Sequence, residues 1–309
     1  MRTFVDTAAH VAFLLLLPPL VPGVIAKVKA WCAGRQGPPL WQPYFDLAKL
    51  LRKGAVYSET TTWVFRAGPI VALASCLAAG LLLPLTSGRA PLGNPGDLVL
   101  FAYLLGLGRF FTMAAALDTG SAFEGMGASR EAAFSALAEP GLFLALIVLA
   151  LDAGSLSLAD ALGAVRPAAA QGMAPVLAVA GLALGLVLLA ENSRIPFDDP
   201  NTHLELTMVH EVMVLDHSGP DLAFIFYGAA VKLTLFAALL AQIALPIGRA
   251  AGAARLGLIA GGVLGVAVAV GVIESVMARV RLPRVPQLLV GASVLAAFGA
   301  VLLFAQGLR

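Results

Sequence analysis

Cysteine and charge are what this 309-residue sequence has least of. Its two cysteines, Cys32 and Cys76, are too few for an iron–sulfur cluster, which commonly takes about four thiolates, and they form no CxxC pair with zinc spacing. The chain therefore has no obvious redox centre of its own, and no metal or cofactor is assigned to it. Charged residues make up 12% of the sequence against about 25% in a soluble domain, while 60% is hydrophobic. That balance suits lipid rather than water. The net charge of +2 is scattered between apolar runs and forms no stripe or arm, so nothing points to nucleic acid as a partner. Linkers are missing too: no Ser-rich, Pro-rich or charge-run segment divides the chain, and residues 1–309 read as a single transmembrane helical domain.

Long apolar runs are what the sequence does have. A spanning helix needs roughly 20 largely apolar residues, at about 1.5 Å per residue across a core about 30 Å thick. Eight segments qualify, at about 8–26, 64–85, 97–118, 140–159, 173–191, 222–246, 256–277 and 286–306. The expected fold is all-α, a polytopic integral membrane protein with about eight transmembrane helices. Prolines at 18, 19 and 22 remove backbone donors from the first span, which is tolerated only where the helix packs or lines a cavity, so a kink is expected there. Lys27 and Lys29 follow that span directly and mark it as a membrane anchor rather than a cleaved leader.

The loops after spans one, three, five and seven hold Lys27, Lys29, Arg35, Lys49, Arg52, Lys53, Arg66, Arg130, Arg194, Arg279, Arg281 and Arg284. The opposite side holds only Arg2, Arg89, Arg166, Arg249, Arg255 and Arg309. This twofold bias puts the first set in the cytoplasm and both termini outside. Within the first of these loops, Leu40, Trp41, Tyr44, Phe45, Leu47, Leu50 and Leu51 alternate with Asp46, Lys49, Arg52 and Lys53, the pattern of an amphipathic helix at the interface or against a partner subunit. Asp46 and Lys49 are its candidate structural or pairing residues.

One segment is far more polar than any other. Residues 191–219 carry six carboxylates, Arg194 and three of the four histidines. Pro196 and Pro200 make its entry irregular, and Thr202 is placed to cap a helix from about His203. On such a helix His203, His210 and His217 recur every seven residues along one face, while Glu205 and Asp216 share another. Histidines seven apart rise about 10 Å and cannot share a zinc ion. Two readings stay open: a solvated loop face, or a proton-handling site, since histidine titrates near neutral pH and clustered acids shift one another. Inside or near the spans stand Arg109, Asp152, Lys232 and Glu274, with Asp118, Glu139 and Glu191 near the ends. An ionisable group in lipid costs about 2.5–3.5 kcal/mol on insertion scales, so each is expected to face the interior and have a partner. Lys232 is the deepest, as a proton-path or pairing residue; Arg109 with Glu139 reads as an ion pair or a relay.

The run Ala190-Glu-Asn-Ser-Arg-Ile-Pro-Phe-Asp-Asp-Pro, followed by Asp216-His-Ser-Gly, resembles the loop between the fifth and sixth helices of the NADH dehydrogenase subunit 1 family of respiratory chains. Thr202-His-Leu-Glu-Leu-Thr-Met-Val-His-Glu is similar to its hydrogenase branch, as are Arg109-Phe-Phe, Leu117-Asp-Thr-Gly-Ser, Gly125-Met-Gly-Ala-Ser-Arg-Glu, Arg35-Gln-Gly-Pro and Phe45-Asp-Leu-Ala-Lys-Leu-Leu. The resemblance implies a membrane subunit, without redox centres, of a group 4 nickel–iron hydrogenase or formate-hydrogenlyase-type complex in the cell inner (cytoplasmic) membrane. It would dock a cytoplasmic redox module onto antiporter-like membrane subunits. Its expected partners are hydrogenase large and small subunits and an iron–sulfur subunit, which would hold the nickel–iron centre and the clusters. The family's proton-coupling positions carry over to Glu139, Glu191, Arg194, Asp198, Asp199, Glu205, Glu211 and Asp216; the residues themselves add His203, His210 and Lys232. Asn201 and His203 stand where quinone-reducing members have acids, which sets the alternative, the quinone-site subunit of an NADH dehydrogenase, second. A secondary transporter lacks its pair of broken, symmetry-related spans here, and an intramembrane metalloprotease lacks its ligand spacing.

Overall fold

The computed structural model describes residues 2–86, 88–198, 209–245, 247 and 250–307. Among them every regular element is helical: α1 (Arg2–Leu16), α2 (Leu20–Cys32), α3 (Gln42–Leu51), α4 (Trp63–Gly80), α5 (Asp97–Asp118), α6 (Ala122–Ala153), α7 (Leu158–Ala168), α8 (Ala174–Glu191), α9 (Gly219–Ala244), α10 (Gly252–Val276) and α11 (Val285–Gly307), with one-turn 3₁₀ segments at Glu211–Val214 and Leu282–Arg284. Seven of these helices are long and apolar enough to cross a membrane. The first predicted span is an eighth, broken one. Phe4–Leu16 and Leu20–Cys32 meet at 44° where Pro18 and Pro19 interrupt the ladder, so the predicted kink is present. The pair reaches beyond the 8–26 window at both ends.

Two other boundaries move. The fourth span, read as 140–159, belongs to a 32-residue helix starting at Ala122. About 48 Å of helix exceeds the apolar core, so the first turns of α6 stand among the polar loops. The segment after it, read as a loop, folds back as α7 and reaches α8 through a one-turn π segment (Ala169–Met173) where Gly172 takes a φ of 92°.

Helix ends gather in two layers. At the outer layer of the orientation expected from the basic residues, Asp97 accepts a hydrogen bond from the amide of Leu158 (2.5 Å) and Gly252 N donates to Thr86 O (2.9 Å). The opposite, polar layer is stitched more densely. The Asp118 carboxylate, at the end of α5, accepts from the amides of Thr62 (2.6 Å) and Phe65 (3.2 Å) and from the Thr62 hydroxyl, satisfying donors that the start of α4 leaves free. Glu124 accepts from Asp216 N (3.1 Å), and Ser218 Oγ accepts from Val56 N (3.0 Å). All three tryptophans, Trp31, Trp41 and Trp63, are exposed near this layer, the arrangement of an aromatic belt at a membrane–water interface.

α4 and α5 have the most extensive packing of any helix pair. Small residues bring the backbones together, as expected where lipid offers no hydrophobic drive: a Cβ on Gly108 would lie 2.6 Å from Ser75 Oγ, and one on Gly68 would lie 2.7 Å from Ala115 Cβ. The predicted amphipathic helix is present as α3, with no buried residue. Asp46 accepts a hydrogen bond from Gln42 (2.9 Å), and no ion pair joins it to Lys49.

Gly127, on α6, sets how closely the polar loop approaches. An added Cβ would overlap Val212 Cγ1 and come within 3.0 Å of the Val209 carbonyl. Gly127→Ala should therefore lift residues 209–213 off α6 at a cost of about 1–3 kcal/mol, the usual range for overpacking. Limited proteolysis should show earlier cleavage in this loop with an unchanged helical circular-dichroism signal; wild-type protection would show that the contact is loose.

Candidate functional site

Three buried carboxylates organise the polar layer. Glu191, at the last turn of α8, has its Oε1 3.0 Å from Arg109 Nη1 and its Oε2 2.8 Å from Lys232 Nζ. Arg109 also reaches Glu139, with Nη2 3.5 Å from Oε1. Helices α5, α6, α8 and α9 thus meet on one charge cluster. Removing one partner of a buried pair costs about 3–5 kcal/mol where the other charge is left with no counter-charge. Glu274, near the end of α10, lies 2.8 Å from Lys29 Nζ and 3.5 Å from Arg194 Nη1. Asp198 pairs with Arg279 (3.0 Å) and accepts from the amides of Val209 (3.2 Å) and His210 (3.3 Å).

The end of α8 explains how Glu191 and Arg194, three residues apart, serve different clusters. Ser193 takes a left-handed φ of 49°, Arg194 N donates to Leu189 O (2.8 Å), and Ser193 N donates to Ala190 O (3.1 Å). These are the two bonds of a Schellman motif, which usually has Gly at the left-handed position. The chain reverses there. Glu191 stays inside with Arg109 and Lys232, while Arg194 turns toward α10.

Two cavities flank this reversal. One, of about 90 Å³, is lined by Glu131, Glu191, Arg109, Lys232 and His210, with Cys76 on its wall. A water needs only about 10–15 Å³ of such space and two to four polar partners, so this one suits a few waters. The other is a groove of about 470 Å³ between Pro19 and Pro22 at the α1–α2 break, Asp46 and Lys49 of α3, and Arg194, His210 and Glu211. His210 lines both.

The predicted site residues divide accordingly. Glu139, Glu191, Arg109 and Lys232 come together; Arg194, Asp198, His210 and Glu211 ring the adjoining groove with Asp46 and Lys49. Asp216 lies at the exposed surface and is joined to α6 through its backbone amide. Asp199, His203, Glu205 and the predicted cap Thr202 lie outside the described residues. The histidine heptad does not continue as a helix through its second half. Residues 209–218 form turns around a single 3₁₀ turn at Glu211–Val214, and His217 instead stacks on Phe65 with ring centroids 4.0 Å apart. Four participants in these clusters, Glu131, Glu274, Lys29 and Arg279, stand outside the site residues expected from the sequence. The sequence windows place Glu131 between the third and fourth spans, outside any site, whereas α6 carries it inward. Glu274, the one carboxylate of α10, is expected from the sequence to have a partner but stands outside the expected proton-coupling set; it pairs with Lys29 and Arg194. Lys29 and Arg279 were read only as topology markers. Among the described residues no group of three potential metal ligands gathers.

Over residues 5–305 the sequence matches the family model described as NADH dehydrogenase. The chain belongs to the NADH dehydrogenase subunit 1 family. Hydrogenase-4 component C of Escherichia coli (strain K12) is 37% identical over 242 residues, covering 78% of this chain and 75% of the relative. Formate hydrogenlyase subunit 4 of the same organism is 32% identical over 283 residues, covering 89% and 90%. A chain of the membrane-bound sulfane sulfur reductase, described as an archaeal respiratory membrane complex, superimposes with a TM-score of 0.81 over 98% of this chain and 100% of its own, at 22% identity, a likeness of fold. This family member is a multi-pass integral membrane protein, of the kind found as subunits of hydrogenase and complex I-like assemblies.

Outside the spans, two histidines of the subunit are held neutral. Burial is the main cause of the drop in the His210 pKa to about 4, with Lys232 and Arg194 adding to it. Burial likewise lowers His217 to about 4, against the opposing pull of Asp221 and Asp216, and its Nδ1 is buried without a partner. An unfolded histidine titrates near about 6.5. Between that value and about 4 the opened loop takes up protons that the closed loop refuses, so closure weakens as pH falls through this window and is unaffected above it. Amide exchange across 209–218, corrected for intrinsic rates, should show less protection at pH 5 than at pH 7, and His210→Gln should reduce that difference. Equal protection at both pH values would mean that neither ring is held neutral.

Proposed function

We propose that this chain is the membrane-anchor and proton-coupling subunit of a group 4 nickel–iron hydrogenase or formate-hydrogenlyase-type complex. It carries no redox centre and docks a cytoplasmic redox module onto antiporter-like membrane subunits. The partners under this reading are hydrogenase large and small subunits with their nickel–iron centre, an iron–sulfur subunit and at least one antiporter-like subunit. The membrane is the cell inner membrane, with the polar layer on the cytoplasmic side, as the basic-residue bias favours.

The observation that carries the reading is the ionisable cluster at the junction of loop and span. Glu131, Glu191, Lys232, Arg109 and Glu139 run from a small polar cavity under the loop toward the side of the bundle, with Glu191 bridged by two cations. Buried charges placed in this way are expensive, and in membrane proteins they mark ion and proton paths. A charge change in the docked module would reach Glu191 through the loop that ends at it. The relatives named for hydrogenase-4 and formate hydrogenlyase support the identity of the complex. The second reading, the quinone-site subunit of an NADH dehydrogenase, rests on the 470 Å³ groove. Photolabelling of its lining by a quinone analogue, together with quinone reduction by the purified complex, would favour it.

Lys232→Met removes one cation from Glu191 while leaving Arg109 in place, and Met fills most of the volume. The variant complex should assemble with wild-type stoichiometry and keep most of its electron transfer, while proton movement per electron pair falls several-fold. Both should be measured on one preparation in sealed vesicles. Unchanged proton movement refutes the coupling role, and failure to assemble reassigns Lys232 to a structural ion pair.

A further inference from the structure

Residues 27–53, from the end of α2 through α3, hold six cations and one carboxylate, Asp46, although the whole chain carries a net charge of only +2. Two of the six are engaged within the chain. Lys29 is paired with Glu274 (2.8 Å), and Lys27 donates to the Gln36 carbonyl (2.6 Å). The other four, Arg35, Lys49, Arg52 and Lys53, are exposed, and among the described residues none has a carboxylate within ion-pair distance. Lys49 and Lys53 stand four residues apart on α3, where like charges repel, so an anion from outside the chain is favoured there.

The same helix shows large apolar side chains to its surroundings. Trp41, Phe45 and Leu51 are 57%, 62% and 53% exposed, and they lie off the face of α3 that lines the 470 Å³ groove, which takes Pro43, Leu47 and Leu50. Yet α3 is held on the first span. The Leu40 carbonyl leaves no room for a Cβ on Gly23 of α2, and the Tyr44 hydroxyl donates to the Leu16 carbonyl at the end of α1. An amphipathic helix at the edge of the bilayer sinks its apolar side about 5–10 Å into the boundary between headgroups and acyl chains, and its long basic side chains then reach the phosphate level. Arg52 stands on the Trp41–Phe45 side of the helix, seven residues after Phe45. Rings that need acyl chains and cations that need an anion therefore share one helix. A phospholipid supplies both, whereas an acidic soluble surface would satisfy the cations and leave the rings in water.

We propose that α3 selects anionic phospholipid from the leaflet at the polar layer, with Trp41 and Phe45 among the acyl chains and Lys49, Arg52 and Lys53 on the phosphates. Arg35 extends the patch from the turn between α2 and α3. A zwitterionic headgroup brings its own cation and competes poorly for these side chains. The proposal rests neither on proton coupling nor on which complex the chain serves.

The test uses the complex purified with its native membrane subunits and placed in nanodiscs of equimolar phosphatidylglycerol and phosphatidylcholine. A benzophenone amino acid replaces Phe45 or, as the control, Val294 on α11, and the lipid adducts formed on irradiation are identified by mass spectrometry. One Lys or Arg near an anionic surface is worth about a fivefold preference. Adducts at Phe45 should therefore favour phosphatidylglycerol at least several-fold, while those at Val294 follow the bulk ratio. Added sodium chloride should erode the preference at Phe45, because exposed charges are screened. Inorganic phosphate at the same ionic strength should do no more than chloride. Lys49→Gln, Arg52→Gln and Lys53→Gln combined should bring the Phe45 ratio close to the bulk value, and Lys49→Arg with Lys53→Arg should keep it. A bulk ratio at Phe45 in the wild type, adducts to a protein subunit in place of lipid, or a preference indifferent to salt overturns the proposal. So does a preference erased by phosphate and not by chloride, which would mark a pocket for a free anion. The wild-type salt series decides the matter even where the triple variant fails to assemble.

Discussion

An acid buried in or beside a bilayer must be given a counter-charge, and the polar half of this protein is arranged around that requirement. Glu191, Glu274 and Asp198 are each nearly inaccessible, and each is reached by at least one cation from another part of the chain. Their partners come from α2, α5, α9 and the segments after α8 and α10. Removing any one carboxylate would orphan the cations that reach it from other elements. The apolar contacts of the spans set how close the helices lie. The ion pairs set which residues stand at the same depth.

Local backbone chemistry delivers the charges to these places. The break at Pro18 and Pro19 redirects α2 so that Lys29 reaches α10, and the Schellman turn at Ser193 separates Glu191 from Arg194. The close approach of Gly127 allows the loop to lie on α6, where Asp198 collects two amides. These features are cheap in sequence terms, a Pro-Pro step, one left-handed residue and one missing side chain, yet each decides which carboxylate meets which cation.

The spans were legible in the sequence because lipid demands long apolar runs, and the window 97–118 coincides with α5. The site was legible in part. Lys232 and Glu191 stood out as charges where charge is costly, but their pairing was not readable, since α8 and α9 bring together residues 41 positions apart. Glu131 was hidden for a physical reason. A polar stretch before an apolar run looks the same whether it is loop or helix, and only the continuation of α6 into the polar layer turns that carboxylate inward. The histidine heptad misled because seven-residue spacing has meaning only on a helix, and the chain from Val209 to Ser218 is held by tertiary contacts with Asp198, Glu124, Val56 and Phe65 instead.

The neutral histidines follow from the same charge arrangement. A ring at His210 lies near both Lys232, which serves Glu191, and Arg194, which serves Glu274, and a third positive charge there would be opposed by both. Its backbone amide is meanwhile fixed on Asp198. His210 is thus the residue at which the three carboxylate clusters meet: one through the peptide, two through the field of their cations. A change in the charge of Lys232 or Arg194 therefore alters the cost of a proton on this ring. Independent ion pairs scattered over a loop would have no such common point.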